Sequence, residues 1–379
     1  MDNQTEMTLD ELIARMHDYP GLKKKDPVRP TREQLERLVE LGEFIAHADC
    51  SGLDLARCDL RGGIFEKVNF QNANLGQAKL NESVFVDPDF SGADLSGANL
   101  HQATIEKGRF TKANITGAVI TDANLFHSDL AGADLSASDL RVAKIVGSDL
   151  AGSNLSNTKL HRAALYETVL KGANISGAEL EQTVFMSTDL TGMILTGARF
   201  FRAFLKDSCM ADMDLHGMDF SMTQFIGADL KRVNFRGANL TQASFMEADL
   251  TDAVLDNIKG QYAIFMKAMM SKTSLKGAFL KQSCFEEADL TMADLSKVDL
   301  EGSIFVKSRC QGAKFIGSNL TYCDFAHADL TWANMTGTSL YRTNFHRVID
   351  DHATWTGANR LIALATDPER AEAEDWRPR

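Results

Sequence analysis

The chain of 379 residues contains no apolar run near the ~18 residues that a membrane-spanning helix requires, and 24% of it is charged. No transmembrane segment is therefore expected. Residues 1–20 lack the basic start and apolar stretch of a secretory signal. The expected location is the cytoplasm, with delivery by a specialised secretion system as an open alternative. The six cysteines, Cys50, Cys58, Cys209, Cys284, Cys310 and Cys323, show no metal-type spacing. They read as free thiols, mostly buried and acting as small hydrophobes. The nine histidines are scattered, and no His-x-x-x-His, Cys-x-x-Cys, glycine-rich phosphate loop or nucleophile elbow occurs. His127, Ser128 and Asp129 are consecutive, but neighbouring side chains in one corner point apart. No catalytic residue, cofactor or metal site is assigned, and an enzyme is not expected. A basic face for nucleic acid is also missing.

What the chain does have is a period of five. From Leu55 to Phe345 every multiple of five is a central apolar residue, broken only by Gly260 and Cys310. A small residue stands two places before it, and Asp, Asn, Ser or Thr usually precedes it directly, as in Ala93-Asp-Leu-Ser-Gly-Ala98-Asn-Leu. Counted from Cys50, sixty units follow without insertion. Residues five apart step about 140° around an α-helix and alternate faces along a strand. Neither element could bury them together, whereas a chain that turns a corner at each unit can.

If four units close one coil, residues twenty apart stack at the roughly 4.8 Å spacing of β-strands. The residues flanking each centre test this. On the side with centres 65, 85 and onward to 345, 15 of 30 flanking residues are large and apolar, against 4, 2 and 3 on the sides starting at 60, 50 and 55. A twenty-residue coil explains that inequality, and a bare five-residue repeat does not.

These residues resemble the pentapeptide repeat family, whose consensus is Ala-(Asp/Asn)-Leu-X-X. The resemblance implies an all-β solenoid, a right-handed quadrilateral β-helix of about 15 coils and roughly 70 Å at the strand spacing. In it the central residue and the one two before it point inward, and stability accumulates by stacking of neighbours. The inward positions read as core. Gly260 empties a central site, but Ile258 enlarges its partner site, and Met193, Met213 and Met218 suit irregular gaps.

The expected organisation is an N-terminal helical cap over 1–46, the repeat array over 47–347 and a C-terminal cap and tail over 348–379. Thr8-Leu-Asp-Glu11 and Thr31-Arg-Glu-Gln34 are capping-box patterns. They open expected helices of about 11 and 15 residues, joined by the basic linker Gly21–Pro30. Leu35, Leu38, Val39 and Leu41 recur at helical spacing and should cover the first coil. Beyond Phe345 the units weaken into Leu361-Ile-Ala-Leu364 and a charged tail. There a short helix closing the last coil, or a dimerisation element, is expected.

Function is then expected on the outer faces. The apolar side supplies Val86, Phe126, Tyr166, Met186, Phe204, Ile226, Met246, Met266 and Val306 as partner-binding candidates. The alternative is that this side makes flatter, strand-like turns whose side chains pack between coils. The adjoining side adds Phe201, Arg202, Tyr262, Tyr322 and Tyr341, aromatics beside arginines as at binding hot spots.

The resemblance also implies a rival function, binding DNA gyrase or topoisomerase as a duplex mimic. Its candidates form the acidic stripe Asp129, Asp149, Asp189, Asp229 and Asp249. The net charge is −12 in all but only −6 over residues 48–347, whereas a duplex of that length carries on the order of 40 negative charges. A second resemblance concerns the ends. Thr31–Gly52 and the terminus from Thr366 to Pro378 look like pentapeptide proteins found beside bacterial type VI secretion components, which implies an accessory or adaptor role. The sequence thus reads as a bacterial, non-enzymatic scaffold for a protein partner. A secreted effector acting on a host protein or membrane, and a homodimer formed through the C-terminal end or the apolar side, stand as further alternatives.

Overall fold

The computed structural model describes residues 27–376. They fall into two compact units, unit 1 ending at Arg199 and unit 2 beginning at Phe200. Within each, every central residue starts a turn. In the first such turn Leu53 N–H donates to Cys50 C=O at 3.2 Å, and Gly52 between them has φ +67°. A positive φ at the third residue of a turn is what type II geometry needs. The positive φ recurs every five residues, with the hydrogen bond on three sides of each coil of unit 1 and without it on the strand side, so four corners close a coil of twenty.

Two sets of backbone bonds join the coils. Cys50 N–H donates to Asn69 C=O at 2.7 Å, and Asn69 N–H returns to Ala48 C=O at 2.9 Å. In unit 1 one side of each coil straightens into a three-residue strand. These are β1 (Phe44–Ala46), β2 (Ile64–Glu66), β3 (Val84–Val86), β4 (Thr104–Glu106), β5 (Asn124–Phe126), β6 (Lys144–Val146), β7 (Ala164–Tyr166) and β8 (Val184–Met186). They pair in parallel in sequence order, residue i with i+20, so unit 1 is a parallel β-solenoid of about eight turns. In unit 2 the same side holds β9 (Phe204–Lys206) and then single bridges from Gln224 through Ile264 and Ile304 to Leu364.

The core follows the five-residue rule. Phe225, Phe245, Phe265, Phe285, Phe305 and Phe325 stack face to face with centroids 4.5 to 5.0 Å apart. Where Ser or Thr replaces alanine two places before a centre, its hydroxyl in most cases donates to a central carbonyl, either of the preceding coil or, as for Thr158 and Ser308, of its own. Examples are Ser83 to Leu60 at 2.8 Å and Thr343 to Leu320 also at 2.8 Å, which satisfies these buried polar groups, whereas the buried Ser153 hydroxyl has no hydrogen-bond partner among the described residues. Cys50, Cys58, Cys310 and Cys323 are buried and all six cysteines are free. Burial pushes the Cys58, Cys310 and Cys323 thiols up to about 12. Asp and Asn alternate on one outer column: Asn74, Asn114 and Asn154 donate their amides to Asp54, Asp94 and Asp134 at 2.9 to 3.0 Å. Without the alternation, carboxylates would stack on carboxylates.

At the N-terminal end α1 (Arg32–Glu40) opens with the expected capping box at Thr31 and Gln34, and buries Leu35 and Leu38 completely. It has nine residues, not about 15. Gly42 at φ +73° ends it, with Gly42 N–H bonded to Val39 C=O and Glu43 N–H to Leu38 C=O, a Schellman stop. Leu41 is consequently 47% exposed rather than packed. The other expected helix, from Thr8, lies outside the described residues.

At the C-terminal end the expected short helix is present, though it covers no core. A 3₁₀ turn (Arg360–Ile362) and α2 (Pro368–Asp375) follow the last repeats, and neither buries a residue. Among the described residues none closes the last coil of unit 2: Val348, Ala353, Trp355 and Ala358 stay partly exposed, and Leu361 is 95% exposed. The reason is that α2 carries Glu, Ala, Arg and Asp but no large apolar residue with which to cover a core.

Candidate interaction surface

The apolar side found in the sequence is the strand-bearing side of unit 1. There Phe126, Val146, Tyr166 and Met186 form one column of successive pairing partners. Val86, Phe126 and Tyr166 are half-buried against neighbouring coils. In unit 2 Ile226, Met246, Met266 and Val306 are half-buried too, while Phe204 is exposed, as is Met186 in unit 1. This is the geometry of side chains that cross-pack between coils.

The adjoining side of unit 2 is different. Tyr262, Phe279, Tyr322 and Tyr341 are each half-exposed, at 50 to 53%. The rings of Tyr322 and Tyr341 meet edge to face at 5.6 Å. At the start of the unit the Arg202 guanidinium lies 5.0 Å from the Phe201 centroid. Tyr262 and Tyr322 occupy the left-handed corner position, at φ +62° and +59°. That conformation costs an L-residue about 1–2 kcal/mol, and glycine fills many equivalent corners without it. Tyrosines that are both strained and solvent-facing gain little from burial in return, which marks them as candidates for contact with something else.

Trp332 shares these properties and was not picked out from the sequence. It is 64% exposed at φ +63° and stacks on His352 at 4.1 Å. It lies on the side with centres 50 to 330, away from the apolar and aromatic sides. Its exposure alone would have found it.

The acidic candidates are committed to the fold. Asp129, Asp149, Asp189, Asp229 and Asp249 each accept the backbone N–H two residues on, at 2.8 to 3.2 Å. Such bonds fix the turn locally. Lys231 lies 3.6 Å from Asp229 and 3.1 Å from Asp249, neutralising part of the stripe. Partial burial opposes ionisation of Asp249, yet Thr251 and Lys231 hold its carboxyl below the usual range.

Two polar clusters have chemical potential. In unit 1 His101, Arg141, His161, Arg162 and Glu181 line an open groove. Arg141 is clamped on Asp139 and His101 Nδ1 lies 2.8 Å from Thr121 Oγ1, whereas His161 Nδ1 is buried with no hydrogen-bond partner among the described residues. In unit 2 His327, His346 and Glu374 bring potential metal-ligand atoms within 4.8 Å of one another. The donor set does not suit a cation. His346 Nδ1 accepts Asp367 N–H at 3.1 Å, which leaves the proton on Nε2, and Nε2 donates to Glu374 at 3.1 Å. The same carboxylate also holds Arg347 Nε at 3.3 Å and Arg370 Nε at 2.9 Å.

Comparison with known proteins agrees with the coil geometry. A family model described as a pentapeptide repeat region matches residues 53–135. Another, described as pentapeptide repeats in eight copies, matches overlapping windows that together span 120–200 and 208–347. Among solved structures the chain is similar to HetL, a pentapeptide repeat protein involved in heterocyst differentiation regulation in the cyanobacterium Nostoc sp. strain PCC 7120. That match has 22% identity, covers 72% of this chain and 96% of that one, and has a TM-score of 0.17. A pentapeptide repeat protein of the Arabidopsis thaliana thylakoid lumen is 31% identical over 28% of this chain and 67% of its own, with a TM-score of 0.16. QnrB1, a plasmid-mediated fluoroquinolone resistance protein, is 17% identical over 56% of this chain and 84% of its own, with a TM-score of 0.21. None of the curated proteins compared with it matches the sequence. Superpositions this loose say nothing of a partner.

Proposed function

We propose that this chain, which belongs to the pentapeptide repeat family, is a non-enzymatic scaffold that binds a protein partner along the aromatic and arginine edge of unit 2. The observation that carries this reading is the set of half-exposed aromatics, with Tyr262 and Tyr322 kept in left-handed corners. Large rigid side chains with a polar tip lose little entropy on contact and bury much area. The apolar side is a weaker candidate because most of its side chains are already half-covered by neighbouring coils. The gyrase-mimic reading is weaker again, since its carboxylates serve turn N–H groups and Lys231. A spike or effector protein of a type VI machine, met in the cytoplasm, is the partner class that the resemblance of the chain ends implies.

The test is affinity capture with the native protein and three folded variants. One carries Tyr262→Ser, Phe279→Ser and Tyr322→Ser; one carries Val86→Glu, Ile226→Lys and Val306→Glu; one carries Asp149→Asn, Asp189→Asn and Asp229→Asn. A partner lost only by the first supports the edge. Loss only by the second moves the site to the apolar side, and loss only by the third, with purified gyrase as bait, supports mimicry. The uncovered last coil of unit 2 favours a second reading, a homodimer through that end. Sedimentation of native protein and Leu361→Glu at several concentrations tests it, dimer being expected only for the former.

A further inference from the structure

In unit 1 one column of corner residues runs Gln102, Asp122, Val142, Arg162 and Gln182, all left-handed at φ +56° to +64°. All but the first line the groove beside Arg141, an opening of about 720 Å³. The polar members are bonded in pairs. Gln102 Nε2 donates to Asp122 Oδ2 at 3.0 Å, and Arg162 Nε donates to Gln182 Oε1, also at 3.0 Å. One pair lies on each side of Val142, whose short side chain leaves the gap between them open.

Val142 is the member that the fold does not explain. It is the one β-branched residue among the described non-glycine residues of positive φ, and that conformation is an outlier for a branched side chain. Burial does not repay the strain, since Val142 is 46% exposed. Strain of this kind collects at sites that bind. The charges beside it are also unspent: among the described residues neither Asp122 nor Arg162 has an ion pair, and the Arg162 Nη groups hold no hydrogen bond. In unit 2 the corner residues Asp212 and Arg232, one coil apart, form a forked pair at 2.6 and 2.7 Å. With Val142 as the intervening rung, Asp122 and Arg162 stand two coils apart, about 10 Å at the strand spacing, and do not pair. The remaining charged groups are occupied. Arg141 is forked on Asp139, and His161 lies 3.7 Å from Glu179 and 3.8 Å from Glu181.

We propose that this groove binds a short peptide with free termini, its ammonium on Asp122, its carboxylate on Arg162 and an apolar side chain on Val142. The two opposite charges select such a ligand, because a simple anion would leave Asp122 uncompensated and a simple cation would leave Arg162 so. A carboxylate can meet the free edge of the guanidinium in two parallel bonds. A chain of two or three residues spans about 7 to 10 Å, which matches the two coils between the charges.

Calorimetric titration of the full chain with the tripeptide Ala-Leu-Ala, and with its N-acetylated and C-amidated forms, tests this. The native protein should bind the free tripeptide, and either cap should weaken binding on the order of tenfold, the worth of one hydrogen bond to a charged group. Asp122 and Arg162 are exposed, so isosteric changes there leave the coil intact. Arg162→Gln should bind the free and amidated peptides equally, and Asp122→Asn the free and acetylated ones equally, because each variant deletes the partner of the modified end. Val142→Gly, which relieves the strained corner, should weaken Ala-Leu-Ala but not Ala-Gly-Ala. No binding of Ala-Leu-Ala at millimolar concentration, caps that change nothing in the native protein, or an Arg162→Gln variant that still separates the amidated from the free peptide overturns the proposal.

Discussion

Gly260 is the position at which the repeat pattern gives the wrong advice, and restoring its consensus leucine should harm unit 2. Its backbone is not left-handed, so a side chain there meets no conformational penalty. Space is what is missing. A Cβ on Gly260 would lie 2.8 Å from Leu280 Cδ2 and 3.4 Å from Ile258 Cδ1, and both neighbours are 0% exposed. Ile258 has grown from the usual alanine into the volume the central side chain would fill. Overpacking a tight core costs about 1–3 kcal/mol, and Gly260→Leu should lower stability by that amount. Ile258→Ala alone removes a buried side chain and should cost about 2–5 kcal/mol. Together they recreate an ordinary pair of inward positions, so the double variant should recover on the order of 1–3 kcal/mol relative to the sum of the singles. Equilibrium unfolding in guanidinium, followed by far-ultraviolet circular dichroism, measures all four proteins. A stabilised Gly260→Leu, or a double variant no better than additive, would refute the account of this core.

Other positions give sharper contrasts. Gly152 and Gly177 both sit at positive φ, but a Cβ on Gly152 meets nothing within 4 Å whereas one on Gly177 would lie 2.5 Å from Asn157 Oδ1. Gly152→Ala should cost about 1 kcal/mol and Gly177→Ala more, the excess disappearing in an Asn157→Ala background, as melting curves will show. Burial keeps the Cys58, Cys310 and Cys323 thiols protonated. A thiol reagent at pH 8 should therefore modify half-buried Cys209 and Cys284 first, and early labelling of Cys310 would contradict the fold. Asp59 is held at about 2, mainly by the Arg61 fork and then by Lys79. Its folded value lies below its unfolded one, so its small stabilisation is complete above pH 4 and fades as pH falls through about 2. Arg61→Ala should move the Asp59 titration upward, which carboxyl NMR can follow.

The coil was legible because it is written in side-chain size. Small residues predominate two places before a centre, and Leu, Phe or a near equivalent fills nearly every centre, so the inward pattern repeats whatever the outer face does. The strand side was legible for a related reason: half-burial between coils favours residues such as Val84, Val86 and Val146. The left-handed corners were not, because 42 non-glycine residues among those described hold positive φ. Each coil-to-coil bond, such as Arg57 N–H to Gly76 C=O at 2.8 Å, holds the corner whatever side chain stands there, so its conformation cannot be read from the residue type. α1 was read too long because Gly42 was not taken as a stop. The α2 attachment had no period to betray it, since its pairs are separated by irregular intervals of 19 to 47 residues.

This difference between inward and outward positions also says where function can be sought in such a chain. A turn carboxylate that accepts a backbone N–H, as Asp149 does from Ala151 at 2.8 Å, is explained by the fold and needs no ligand to account for it. Leucine or phenylalanine at a centre is explained in the same way. The residues left unexplained are those that the fold would be more stable without: Tyr262 and Tyr322 in corners that glycine fills with less strain, and Trp332 beside them in kind though on another side. Glycine at Tyr262 and Tyr322 should leave unit 2 as stable as before or slightly more so, because each loses a strained conformation and only a half-covered ring. If melting shows instead that either change costs about 2 kcal/mol or more, the ring is bracing its neighbours, and the case for a partner on that edge fails with it.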